Sequence, residues 1–547
     1  MPKRTRIVEP LSAKFEHNGL YKEKYGNNIF LASLFTSDVK EALRQKYRKS
    51  IPYPHLSISS ACDDIRLRCV LKEVKDRMNA TFKETDLFKV YQTTDLAGLL
   101  SDAMKKQTPE LLALRSSIYS SEFRELISII SGCGKLSDRV DCSCNIYCQG
   151  GHLLCHDDVI GSRAVSFILY LSDPENPWAK SDGGALELYD IEENSPSPRM
   201  YHSKAILPTW NKFLFFEVKP GKSFHAIQEV FVDNKPRVSI SGWFHFLDTN
   251  IITKYASREQ LSNTAAYKKR ETSHKIPRAV HELTSKFELS KRDILFLSNW
   301  VSAEYLNRAN IIAIRKNFRM EKCVQLRDFL KPELSKKIDD LLFGKMRQRT
   351  SNLEANKRDS RNWKVVGPPH MQRYLKLENK EKYYRNDVEF CALASSLEAN
   401  VFKSDAYNRW LFAVTDQAAY ESKSTIRNFR RGLDYTLAHK NLNLNIPQLH
   451  STLCFVKSDS LIERQSWASG NCGGFECFIP TLPELKETLA CAEVYDNNSN
   501  EKEMISVHAS FNTLSLIKNK GHDLYFLKYL SKLAPSDRYD IHFCYSV

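Results

Sequence analysis

The sequence predicts an α+β chain, mainly β, made of two double-stranded β-helix (jelly-roll) domains, each with flanking helices. Three observations predict it. From about residue 140 to 247 the apolar segments are short and β-rich: CSCNIYC, AVSFILYLS, GALELYD, KFLFFEV and RVSISGWFHF. Gly, Pro, Asn and Asp separate them, the texture of stacked antiparallel sheets. Helical periodicity precedes that region. Finally, the pattern recurs: SFILYLSDPENPWAKSDGGALELYD is answered by STLCFVKSDSLIERQSWASGNCGGFECFIP. Each runs strand, polar loop with one tryptophan (Trp178, Trp467), then Gly-Gly opening the next strand.

At 547 residues the chain exceeds one ordinary core, so two domains are expected. Residues 1–50 are read as a polar segment ending in a helical pattern, SDVKEALRQKYRK. The first domain is placed at 51–250. It opens with a short strand, PYPHLSI, and continues with helices around 63–79 (DDIRLRCVLKEVKDRMN) and 110–131 (ELLALRSSIYSSEFRELISIIS). Residues 251–318 are polar and basic and are taken as a helical connector. The second domain is placed at 319–547, where RMEKCVQLRDFLKPELSKKIDDLLF again reads strand, then helix. Downstream, KPGKSFHAIQEVFVDNKPRVSISGWFHF faces NKGHDLYFLKYLSKLAPSDRYDIHFCYSV, setting Arg237 opposite Arg538 but His225 opposite Tyr525.

Composition narrows the function classes. No apolar run approaches the roughly 20 residues that span a bilayer, so no membrane is expected. MPKRTRIVEP has no apolar segment behind its basic residues and does not read as a secretory signal. Fourteen cysteines, including CSC at 142–144 and CGGFEC at 472–477, lack zinc-finger spacing and read as reduced core residues. The formal charge of +15 favours acidic partners such as RNA or ribonucleoprotein, although KKRETSHKIPR at 268–278 is the richest basic stretch.

The chemistry centres on HLLCHDDVIGSR, residues 152–163. If this segment is a strand, residues two apart share a face, so His156 and Asp158 aim at one point and Asp157 aims away. Asp157→Ala is accordingly expected to be much milder than His156→Ala or Asp158→Ala. An imidazole and a carboxylate supply two corners of a coordination sphere. A second histidine from a later strand completes the 2-His-1-carboxylate triad of non-haem Fe(II) oxygenases. Among His202, His225 and His245, His225 has a qualification: Arg237 follows twelve residues later, at the start of the next strand. An arginine deep in such a barrel requires an anion, because an unpaired buried charge costs several kcal/mol. Its planar guanidinium suits the far carboxylate of 2-oxoglutarate. His152 is read as structural, and Trp243 as core or as part of the substrate mouth.

NIYCQGGHLLCHDDVIGSRAVSFILYL, SFHAIQEV and RVSISGWFHF, with PYPHLSI and FKETDLFKVYQTTDL upstream, resemble the prolyl hydroxylase family of 2-oxoglutarate oxygenases acting on a small-subunit ribosomal protein. The resemblance covers nearly the whole chain from about residue 50. It implies two jelly rolls, with iron in the first and a metal-free second, where HKN at 439–441 is the nearest approach to the motif. It also implies prolyl 3-hydroxylation and effects on translation fidelity and termination; in some fungal members it is tied to oxygen-dependent turnover of a transcription factor. The implied metal ligands are His156, Asp158 and His225, with Arg237 anchoring 2-oxoglutarate. Tyr147 and Tyr170 match tyrosines that contact the cosubstrate, or are core aromatics; Asn145 is a weaker candidate. Fe(II), 2-oxoglutarate and O2 follow as cofactor and cosubstrates, with L-ascorbate as reductant, in a monomer of nucleus and cytoplasm. Partners are the ribosomal protein as substrate and ribonucleoprotein or mRNA-bound termination factors. The rival readings are an oxygen-responsive binding module whose second domain docks ribonucleoprotein or degradation partners, and the same chemistry on lysine or a nucleobase.

Overall fold

The computed structural model describes residues 28–98, 102–193, 195–247, 273–277, 288–344, 362–378, 387–438, 446–480, 504–520 and 523–547. The chain divides into two compact units, Met1–Tyr267 and Lys268–Val547. Strands in both pair antiparallel, and helices flank them. No helix among the described residues is long and apolar enough to cross a membrane. None of the described cysteines is in a disulfide.

In the first unit the strands are β1 His55–Ser59, β2 Ala80–Glu84, β3 Phe88–Thr93, β4 Leu136–Tyr147, β5 His152–His156, β6 Arg163–Tyr170, β7 Leu186–Leu188, β8 Lys204–Ile206, β9 Lys212–Glu217, β10 His225–Ile227 and β11 Arg237–Phe246. They pair in the order β1-β9-β6-β11-β4-β3-β5-β10-β7-β8, with β2 on β3. Alternation sorts the side chains. Cys142, Cys144 and Ile146 of β4, Phe167 and Leu169 of β6, Phe213 and Phe215 of β9, and Val238 and Ile240 of β11 join one core with the helices. The intervening Tyr147, Ile168, Tyr170, Leu214 and Phe216 form a second, inner cluster. The inner positions of β11 are Arg237, Ser239 and Ser241, so a polar row lies on the face where the site forms.

The helices are α1 Ser37–Arg48, α2 Asp64–Arg77, α3 Asp102–Gln107, α4 Pro109–Tyr119 and α5 Ser121–Ser131. The helical stretch expected at 110–131 is two helices. Ser120 takes an extended conformation (φ −66, ψ 147), and its side chain accepts from the Phe123 amide, capping α5. The expected polar segment 1–50 is also corrected. Within it, Ile29, Phe30, Leu34 and Tyr47 are buried, and Phe30 stacks on Phe123 at 4.1 Å. Its polar texture belongs to one face of α1, while Tyr47 turns inward and its hydroxyl accepts from the Glu217 amide.

In the second unit the strands continue as β12 His274–Lys275, β13 Cys323–Leu326, β14 Trp363–Val366, β15 Gln372–Leu377, β16 Glu421–Phe429, β17 Tyr435–Thr436, β18 Gln448–Phe455, β19 Glu476–Ile479, β20 Ile505–Val507, β21 Thr513–Asn519, β22 Leu524–Leu527 and β23 Arg538–Ser546. The main sheet runs β13-β21-β18-β23-β16-β15-β14, and β20-β19-β22 form a smaller one. Its helices are α6 Lys291–Leu297, α7 Arg308–Glu321, α8 Pro332–Phe343, α9 Val388–Ser396, α10 Asp405–Thr415 and α11 Leu461–Ser469.

The described part of the expected connector 251–318 is no connector. Leu297, Val301, Tyr305, Leu306, Ile311 and Phe318 are buried in the core of the second unit. Among the described residues of that stretch, Lys291, Arg292, Arg308 and Lys316 are exposed on helices α6 and α7, whose buried residues include Leu297, Ile311 and Phe318. The second tryptophan of the repeat differs too: Trp467 lies on α11 rather than in a loop. The HKN segment at 439–441 lies outside the described residues.

Candidate metal and cosubstrate site

β5 ends at His156, one residue before the pair of aspartates. Asp158 is therefore not on a strand. It sits in a turn with φ +62, a left-handed conformation unusual for a residue with a Cβ. The convergence expected from strand alternation is real, but the turn produces it. The Asp158 carboxylate bridges both imidazoles: His156 Nε2 lies 3.1 Å from Oδ1, and His225 Nε2 lies 3.3 Å from Oδ2. Register places the histidines opposite each other on β5 and β10, with ring centroids 4.2 Å apart. Ligand atoms of His156, Asp158 and His225 all fall within 4.8 Å of one another.

Each imidazole is oriented from behind. His156 Nδ1 is 2.8 Å from the Leu154 carbonyl, and His225 Nδ1 is 2.9 Å from the Ser223 carbonyl. A carbonyl can only accept, so Nδ1 carries a proton on each ring, which leaves Nε2 as the atom that faces the centre and that a metal would take as its ligand. Burial alone would raise the Asp158 carboxyl, but the His225 and His156 imidazoles hold it well below the usual carboxylate range. Burial lowers the His156 imidazole, but Asp158, the Leu154 carbonyl and Asp157 together turn the net shift upward. Phe216 packs edge-on against His225 at 4.8 Å, and Tyr53 packs edge-on against Phe216 at 5.7 Å. Tyr53 lies in PYPHLSI, far from the ligand motif in sequence, and only the fold brings it here.

Arg237 is fully buried. Its Nε donates to the Gly184 carbonyl (2.9 Å) and its Nη1 to Ser239 Oγ (3.3 Å). Its guanidinium carbon lies 5.0 Å from the Tyr147 ring centroid and 5.1 Å from that of Tyr170. Its Nη2 and the Tyr170 hydroxyl are buried without a hydrogen-bond partner. Orphaned donors in a dry interior are costly unless an acceptor arrives. Burial pushes the Tyr147 phenol up to about 12, Arg237 pulling it down and Asp158 pushing it up, so Tyr147 lies within electrostatic reach of both ends of the site. Gly184 has φ +67, and a Cβ there would approach Trp178 at 3.1 Å and Arg237 at 3.2 Å, so a side chain would crowd the anchor.

The other candidates are placed as follows. Asn145 faces the same interior, but its amide is engaged at both ends, accepting from Gln92 Nε2 (2.9 Å) and donating to Ser241 Oγ (2.7 Å). Trp243 lies under the Arg163 guanidinium at 3.5 Å. His202 pairs with Glu187, His245 lies between Ser162 and Asp141, and the ring of His152 contacts the Gly150 carbonyl. None of these three joins the cluster at Asp158.

Two imidazoles and one carboxylate suit a divalent iron ion, and an unmatched guanidinium beside an orphaned phenol suits a carboxylate, so the residues present fit Fe(II) and 2-oxoglutarate. Residues 142–245 match the family described as the 2OG-Fe(II) oxygenase superfamily. Residues 292–547, starting within α6, match the one described as oxoglutarate and iron-dependent oxygenase degradation C-term. Over 513 residues the chain is 39% identical to prolyl 3,4-dihydroxylase OGFOD1 of Ostreococcus tauri, covering 90% of this chain and 95% of that protein. The chain belongs to this prolyl hydroxylase family. The hydroxylase is also 33% identical to prolyl 3-hydroxylase OGFOD1 of Xenopus laevis, over 52% of this chain and 48% of that protein. Against the Mus musculus prolyl 3-hydroxylase OGFOD1 the identity is 29%, over 65% and 58% respectively. It is thus an oxygenase that uses Fe(II), 2-oxoglutarate and O2.

Proposed function

We propose that the first unit of the hydroxylase binds Fe(II) through His156, Asp158 and His225, anchors 2-oxoglutarate with Arg237, and hydroxylates a prolyl residue at C3. The supporting observation is the pairing, in one interior, of the imidazole–carboxylate cluster with the orphaned Arg237 Nη2 and Tyr170 hydroxyl. Arg237 would take the distal carboxylate, with the Tyr170 hydroxyl as a further donor and the Tyr147 ring as a wall. Asn145, through Gln92 and Ser241, would brace β4 against β11. Bound iron and 2-oxoglutarate supply the oxidising power that places one oxygen atom of O2 on the prolyl carbon and the other in succinate, with release of CO2. The chain supplies orientation, a dry cavity and a matched charge.

The reading extends to two jelly-roll domains, the second metal-free, and to a small-subunit ribosomal protein as substrate, with consequences for translation accuracy and termination. L-ascorbate as reductant and residence in nucleus and cytoplasm belong to the same proposal. Its test is incubation with Fe(II), 2-oxoglutarate and candidate ribosomal peptides, following peptide mass and succinate together. A gain of one oxygen on proline supports it; succinate with oxygen placed on lysine or on nucleic acid refutes the substrate.

A second reading concerns the second unit alone, as a docking module for ribonucleoprotein or degradation partners. It is favoured by the internal neutralisation of Arg538 and Arg427 by Glu476 and Asp540, so that neither of these two arginines, which lie on β23 and β16, is left unmatched for a dicarboxylate. A second-unit variant that turns over peptide normally yet loses association with ribosomes would support it.

A further inference from the structure

Asp157 was expected to face away from the site and to matter little. Asp157 is buried, with 4% of its surface exposed, and forms no salt bridge among the described residues. Its carboxylate is spent on two backbone amides: Oδ1 accepts from Val159 (3.3 Å) and Oδ2 from Gly221 (3.2 Å). The first contact closes a tight turn over Asp158. The second reaches across the sequence to the turn that precedes β10 and His225. A third link runs parallel: Ser223 Oγ donates to the Asp157 carbonyl (3.1 Å) and to the Lys219 carbonyl (3.1 Å), while the Ser223 carbonyl holds His225 Nδ1.

These links join the two chain segments that carry the metal-ligand candidates. They also bear on the left-handed Asp158, whose positive φ is a conformation that residues with a Cβ adopt only at a cost. Such a conformation persists only where its surroundings over-determine it. Without the Asp157 carboxylate, the turn is free to relax to negative φ, which would swing the Asp158 carboxylate away from both Nε2 atoms.

We propose that Asp157 is a positioning residue that sets the metal affinity of the hydroxylase by locking Asp158 in its left-handed turn and tying that turn to the segment bearing His225. The proposal rests on the reading of His156, Asp158 and His225 as metal ligands. Partners behind a metal's own ligands govern affinity by about 10- to 100-fold.

The test uses the full-length metal-free chain, titrated with Mn(II), which binds such sites without turnover. Mn(II) affinity and the melting temperature with and without Mn(II) are measured for wild type, Asp157→Ala, Asp157→Asn, Ser223→Ala and His225→Ala. Asp157→Ala is expected to weaken Mn(II) about 10- to 100-fold and to shrink the metal-induced rise in melting temperature. Asp157→Asn, which keeps one acceptor oxygen, should recover part of the loss. His225→Ala should abolish binding. A purely structural Asp157 would lower both melting temperatures together and leave their difference intact; that result, with Mn(II) affinity within twofold of wild type, overturns the proposal while the ligand reading stands. If His225→Ala binds Mn(II) as wild type does, the ligand reading itself fails. Should Asp157→Ala not fold, Asp157→Asn and Ser223→Ala decide, and unchanged affinity in both overturns the proposal.

Discussion

Arg237 and Arg538 open the last long strand of their respective units, and each donates to the carbonyl of the second glycine of a Gly-Gly pair, Gly184 and Gly474. Only Arg538 meets carboxylates: its Nε lies 3.1 Å from Asp540 and its Nη2 3.5 Å from Glu476. Arg237 makes no salt bridge among the described residues and keeps Nη2 without a partner. The same cation is thus internally neutralised in one unit and left for a ligand in the other.

Replacement of Arg237 should therefore act on the cosubstrate. Arg237→Met is expected to raise the KM for 2-oxoglutarate by about 100-fold or more, because a charge-assisted bidentate contact is lost and its carboxylate partner is left unpaired. Arg237→Lys should fall between, since an ammonium holds one oxygen where the guanidinium fork holds two. Succinate release against 2-oxoglutarate concentration is the measurement.

In the second unit, Glu476 accepts from Arg427 (3.1 Å) and Tyr525 (2.7 Å) while also facing Arg538. Glu476→Gln leaves two buried guanidinium groups sharing one carboxylate, a loss of about 3–5 kcal/mol. Denaturant unfolding should show that loss, and the KM for 2-oxoglutarate should not move.

At the metal cluster, Asp158→Asn is the informative substitution. Asn tolerates the left-handed turn about as well as Asp, so the metal-free fold should be retained. Mn(II) binding and turnover should be lost, because the amide brings no charge. Chelation of wild type should abolish succinate formation, and added Fe(II) should restore it.

A pH prediction follows from buried histidines of the second unit. Burial lowers His450 to about 4 and His370 to about 3. The unfolded chain, with histidines near 6.5, then binds more protons than the folded one, so stability rises with pH across this interval. It should be complete above about pH 6.5 and fall as the pH drops toward 4, by on the order of 3 kcal/mol for each group at most. Both His450 ring nitrogens are buried without a hydrogen-bond partner, and its ring packs near Phe478, Tyr525 and His542. His450→Phe should flatten the acid limb by one proton and stabilise at pH 7, measured by unfolding at pH 5 and pH 7.

The legible part of this site was its residue types in order. His156, Asp158, His225 and Arg237 form a pattern whose chemistry constrains itself, because a buried arginine demands an anion and a histidine–aspartate pair demands a third ligand. The illegible part was backbone geometry. Strand alternation singled out Asp158, the carboxylate that meets both imidazoles, but a left-handed loop residue and not a strand position brings it there, since no sequence rule places the end of β5 at His156. That one-residue boundary hid the role of Asp157. The mainly antiparallel fold was likewise legible from short alternating segments, whereas α6 and α7 read as linker because the stretch around them is polar and basic, although both carry apolar residues that pack into the second unit. Ser120 carried a signal that was passed over: a serine at the centre of a long helical stretch, three residues before Phe123, is an N-cap.

The unmatched guanidinium of Arg237 should also make the two halves respond differently to small diacids. One half holds a buried cation with a free donor, so a carboxylate ligand that binds it should raise that half's stability as its concentration rises. The other half, where Arg538 is already paired with Glu476 and Asp540, should gain no such stability from a diacid. When such diacids run short, heat and proteases should find the oxidising half first.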